Sequence, residues 1–101
     1  MDVGRFTDVA EVLLDRLDGR LTATDRDTLR GYLWGGEWGL LADELAAALT
    51  EDHTPIDATE RDLLQELLYS LELDENDEDA AHYPALYARD TVMRSLNVVG
   101  M

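Results

Sequence analysis

Carboxylates are the groups this chain supplies most generously for chemistry. Six acids fall in the eight positions from Glu72 to Asp79. Between residues 31 and 88, fifteen Asp and Glu face the single Arg61, a net charge of −14 (1 − 15). Carboxylates can trade protons in pairs, ligate hard cations, or dock by charge. With 23 acids in 101 residues any pair could be named an acid/base dyad, so pairing alone points to nothing. Asp74-x-Asn76-x-Glu78 copies the oxygen spacing that opens a calcium loop. Its sixth position is Asp79, where the turn requires Gly, and its twelfth is Ala85, where a bidentate Glu is needed. Neither a specific metal site nor any cofactor is expected, and docking by charge is left.

Other reactive side chains lack the company they need. His53 and His82 have no cysteine partner and no metal-ligand spacing, and the chain has no cysteine at all. Ser70 and Ser95 lie in helical patterns without the glycines of a nucleophile elbow. Gly31, Gly35, Gly36 and Gly39 surround aromatic residues and do not follow a phosphate-loop spacing, so they read as helix-break and packing glycines. No enzyme activity is expected.

The acids are concentrated rather than spread. Residues 1–30 hold seven acids and five Arg, and the last thirteen residues sum to +1. The total of −15 opposes binding to nucleic acid or an anionic membrane and favours a cationic protein. Proteins that grip phosphates carry the most cationic surface, so a nucleic-acid-binding protein is the natural complement. The expected docking residues are Asp74, Glu75, Asp77, Glu78 and Asp79, with Tyr83 and Tyr87 as aromatic neighbours and Tyr69 in the core. Trp34 and Trp38 flank Gly35-Gly-Glu37. Packing is expected of Trp38. Trp34 is open to either role, and an exposed Trp beside a carboxylate makes a good interface anchor.

The elements that must position these residues are helical. The length suits one domain, spanning the whole chain, and no apolar run approaches the ~18 residues of a membrane span. Phe6, Val9, Ala10, Leu13 and Leu17 form a stripe, with Thr7 as the expected N-cap and Gly19 as the stop. Thr24-Asp-Arg-Asp27 resembles a capping box opening a second helix through Leu29, Tyr32 and Leu33, broken by Gly35-Gly36. A third helix carries Trp38, Leu41, Ala42, Leu45, Ala48 and Leu49, and the short break makes the two an antiparallel hairpin. Asp57-Ala-Thr-Glu60 is a second capping box, followed by Leu63, Leu64, Leu67, Leu68 and Leu71. The acidic run reads as a loop. Pro84 suits the first turn of a last helix over about residues 84–96, and Asn97-Val-Val tolerates extended structure. The fold class is all-α: a small four- to five-helix bundle built around a helix hairpin.

The segment Arg30-Gly-Tyr-Leu-Trp-Gly-Gly-Glu-Trp-Gly-Leu-Leu-Ala-Asp-Glu-Leu45 resembles the core motif of the MafI-like immunity proteins of bacterial polymorphic toxin systems. The matching positions are Tyr32, Leu33, Gly36, Glu37, Trp38, Gly39 and Leu40, with Leu41 where the pattern favours Ala. The likeness covers about residues 12–72. It implies a small helical protein that binds a cognate basic toxin in a 1:1 complex, while the charge of −15 weighs against a dimer and the lack of cysteine fits the cytoplasm, so a cytoplasmic monomer is expected. Toxins of such systems are often nucleases. Glu37 and Trp38 become candidate contacts through the shared motif, although a residue common to a family sets the fold more readily than it chooses a partner. The resulting expectation is stoichiometric occlusion of a basic toxin by an acidic surface. The rival expectation is a nucleic-acid mimic or adaptor that binds a basic host DNA- or RNA-binding protein.

Overall fold

A computed structural model of the chain describes residues 2–73 and 82–100. They form an all-α bundle of α1 (Val3–Leu17), α2 (Ala23–Gly35), α3 (Trp38–Glu51), α4 (Ala58–Ser70), α5 (Pro84–Tyr87) and α6 (Arg89–Ser95). A 3₁₀ turn, Asp18–Arg20, links α1 to α2. Strands β1 (Pro55–Ile56) and β2 (Asn97–Val98) pair in parallel, Pro55 opposite Asn97 and Ile56 opposite Val98.

α3 is the centre of the bundle. It packs against α2, α4, α5 and α6, and Leu41, Ala42, Asp43, Leu45, Ala46, Ala48 and Leu49 are all buried along it. A helix apolar around most of its circumference has to be surrounded. α1 buries Phe6, Val9, Ala10, Leu13, Leu14 and Leu17 against α4 and α2. α4 contributes Leu64, Leu67 and Leu68. Each such leucine stabilises the fold by roughly 1.5–3 kcal/mol relative to exposure.

The helix ends follow the local chemistry, with two shifts of frame. Asp2 caps α1, its carboxylate accepting from Arg5 N at 3.1 Å, five residues before the expected Thr7. Thr7 lies inside the helix and donates its hydroxyl to Val3 O. α2 opens at Thr22, which accepts from Asp25 N, two residues before the expected Thr24. Asp57 and Glu60 do form the expected reciprocal box at the start of α4.

Gly36, at φ 70°, closes α2. Its N–H donates to Leu33 O, and Glu37 N–H donates to Tyr32 O, the paired bonds of a Schellman motif. α3 closes in the same way, but at His53, φ 48°. His53 N–H donates to Thr50 O and Thr54 N–H to Leu49 O.

The expected last helix over 84–96 is two helices, broken at Ala88 (φ −101°, ψ 28°). The core residues explain the break. Leu86 and Val92 are both buried, yet an unbroken helix would set positions six apart about 120° from each other. The bend at Ala88 turns both inward. Val99 N–H then donates to Ile56 O at 2.8 Å and Asn97 Nδ2 to His53 O at 2.9 Å, tying the end of the chain to the loop after α3.

Candidate interaction surface

The arginines decide where negative charge is left uncovered. Arg5 Nε donates to Glu66 Oε2 at 2.7 Å, joining α1 to α4. Arg16 reaches Asp57 at 2.9 Å and Glu60 at 3.2 Å, and Arg20 donates to Glu60 Oε1 at 2.8 Å. Arg26 lies 3.6 Å from Asp18, Arg30 lies 2.7 Å from Asp15, and Arg61 pairs with its neighbour Asp62. Every arginine from Arg5 to Arg61 is thus engaged on α1, α2 or α4. Glu60 is the buried hub, only 2% exposed. Hydrogen bonds from Arg20, and then from the Asp57 backbone and Arg16, hold its pKa down at about 2 against the desolvation that would raise it.

The acids of the α2–α3 hairpin lack such partners, because its two arginines, Arg26 and Arg30, turn to Asp18 and Asp15. Asp25, Asp27, Glu37, Glu44, Glu51 and Asp52 make no ion pair among the described residues, and α3 contains no basic residue. Glu44 registers the resulting field. Its pKa is raised first by partial burial and then by the charges of Asp25, Asp43 and Glu51. Asp25 on α2 and Glu51 on α3 are thus close enough to Glu44 to repel it across the hairpin.

The Gly-Glu-Trp-Gly segment is mainly architectural. Trp38 is half-buried, its ring 5.4 Å from Phe6 at an interplanar angle of 57°. A Cβ at Gly36 would lie 3.6 Å from the Trp38 ring, and one at Gly39 would lie 3.5 Å from the Tyr83 ring. Glu37 is exposed, and its side chain makes no capping bond.

The tyrosines divide differently from expectation. Tyr83 is half-buried over Gly39 and packs on the core, and Tyr87 is half-buried on α5. Tyr69, expected in the core, is 42% exposed. Its hydroxyl bonds Asp90 and its ring lies 4.4 Å beneath the Arg89 guanidinium. Arg89 also donates to Leu68 O and Leu71 O, satisfying the last carbonyls of α4. The ring is held outward because it stacks under that capping arginine, a long-range contact that helical spacing does not announce. Trp34 is 88% exposed.

Asp74, Glu75, Asp77, Glu78 and Asp79 lie outside the described residues, and so does the calcium-like spacing they include. Among the described residues no group of three or more His, Asp or Glu is placed to hold a metal ion, and no helix is long and apolar enough to cross a membrane. A cavity of about 470 Å³ is lined by Leu73, Tyr87, Arg89, Asp90, Thr91 and Arg94 among others. Glu44, the carboxylate with raised proton affinity, is not in its walls. Sequence reasoning singled out Glu37 on this surface but missed Asp25, Asp27, Glu44, Glu51 and Asp52. The absence of any basic residue between Arg30 and Arg61 was the available signal for Glu44, Glu51 and Asp52, and none marked Asp25 and Asp27, which flank Arg26.

Comparison with protein families, with curated proteins and with solved structures finds no match to this chain.

Proposed function

We propose that this protein is an immunity protein, similar to the MafI-like family, that neutralises a basic toxin by covering its cationic groove in a 1:1 complex. The observation that carries this reading is the distribution of ion pairs. The arginines from Arg5 to Arg61 find their partners on α1, the 3₁₀ turn and α4, where Asp8 and Glu11 stay unpaired, while six acids of the α2–α3 hairpin have no ion pair among the described residues. Such a face repels itself, and a positively charged partner relieves that repulsion. Charge complementarity also speeds encounter, up to about 10⁸–10⁹ M⁻¹s⁻¹ at low salt. The cell must intercept a toxin before it acts, so a fast on-rate suits this task. A nuclease domain is the favoured partner class, because a groove built for phosphates presents the complementary surface.

The experiment is a titration of this protein into the purified product of the adjacent gene, with nuclease activity as the readout. Loss of nuclease activity should be linear and complete at one equivalent. Full activity at a several-fold excess would overturn the reading.

A further inference from the structure

Resting on the proposed binding of a basic protein, we infer that the outer face of α2 is a docking site centred on Trp34, and that its occupant presents an arginine side chain. Ala23, Asp27, Gly31 and Trp34 recur at spacings of four, four and three, which puts them on one stripe of α2, and all are exposed. Trp34 leaves 88% of its surface in water, far more than any other large apolar residue described.

Gly31 adds a second, independent observation. It sits inside a helix, where glycine is unfavourable. Of the glycines inside the described α-helices it is the one whose Cβ position meets nothing within 4 Å. Nothing in the described fold uses the missing side chain. A bare patch one turn before an exposed indole lets another chain approach the backbone closely.

Charge selects the occupant. Asp27 on the stripe and Glu37 just past the helix end are exposed and unpaired among the described residues, and Arg30 is turned toward Asp15 and Asp18. A guanidinium can lie flat on the indole and reach a neighbouring carboxylate, whereas an ammonium offers no plane to stack. A second copy would place two chains of charge −15 against each other.

The test is NMR titration of the ¹⁵N-labelled protein with two synthetic peptides, an alternating Arg-Gly octamer and its Lys-Gly counterpart, at low salt. The Arg peptide should shift the Trp34 indole N–H and the Asp27, Gly31 and Glu37 amides, leave the Trp38 indole in place, and bind more tightly than the Lys peptide. Trp34→Ala should weaken Arg-peptide binding at least about tenfold. Gly31→Gln should also weaken it while raising Tm by about 3–5 °C, a combination that simple damage to the fold cannot give. Binding of both peptides with shifts confined to the Glu44 and Glu51 face, or unchanged affinity in Trp34→Ala, would overturn the α2 site and leave the basic-partner reading standing. Failure of both peptides to bind would overturn both. Trp34-dependent self-association in sedimentation would assign the stripe to a second copy instead.

Discussion

The Asp43 carboxylate accepts the backbone N–H of Leu86 at 3.0 Å, across 43 positions of sequence. The same oxygen accepts Ala85 N–H at 2.8 Å, so a buried acid on the central helix supplies the N-terminal cap that α5 lacks locally. The C-terminal segment therefore depends on α3 for its starting point. Asp43→Ala should cost about 1–3 kcal/mol, because the two N–H groups lose their acceptor and Leu86 is buried. Asp43→Asn, which keeps an acceptor oxygen, should cost less. Thermal unfolding gives the magnitude. Hydrogen exchange should localise the loss to residues 84–98.

Glu60 sets an acid limit on stability. Its folded pKa of about 2 lies below its ordinary 4.5. The folded state therefore binds the proton more weakly than the unfolded state. The contribution is complete above about pH 4.5 and is lost as pH falls toward 2. Its size is on the order of 2–3 kcal/mol. Glu60→Gln should be destabilised by a similar amount at pH 7, and the gap between variant and parent should close near pH 2. Urea unfolding of both proteins across that window reads the difference directly.

Glu44 acts in the opposite sense. Burial and three neighbouring acids raise its folded pKa, so protonation favours the folded state. Its favourable contribution is present below the unfolded pKa and lost as pH rises through the folded one. Glu44→Gln should accordingly raise Tm at pH 7, with no gain below about pH 4. Added salt should shrink the gain, because part of it is repulsion among partly exposed charges. A negative ΔTm at neutral pH would contradict the picture of a mutually repelling hairpin face.

The two tryptophans should separate stability from recognition. Trp38→Ala removes the ring packed on Phe6 and Gly36, at a cost of about 3 kcal/mol. Trp34→Ala should change Tm little, because the side chain is exposed. Guanidinium unfolding of both variants checks this. Comparable losses would mean that Trp34 has a structural role its exposure does not suggest.

The helical plan was legible wherever local chemistry decides. The leucine stripes of α1 and α4, the Asp57–Glu60 box and the Gly36 break all stand where their spacing placed them. The expected caps Thr7 and Thr24 were wrong, because Asp2 and Thr22 cap the two helices, and Asp and Thr serve as caps too similarly for residue type to choose among them. The bend at Ala88 was hidden because it answers to the burial of both Leu86 and Val92, a tertiary demand. For the proposed interaction surface, charge composition supplied the expectation of a basic partner. It could not show which acids the arginines would neutralise, because pairs such as Arg5–Glu66 join residues 61 positions apart.

The proposed electrostatic capture of a basic protein by the α2–α3 face is tested most directly by stopped-flow association with the product of the adjacent gene, from about 20 to 300 mM salt. The rate constant should fall steeply with salt. The charge-neutralised variant Asp25→Asn, Glu44→Gln, Glu51→Gln should associate more slowly and with a flatter salt dependence, while remaining as stable as the parent or more so. Association equally fast in that variant, or a parent rate indifferent to salt, would contradict the central claim.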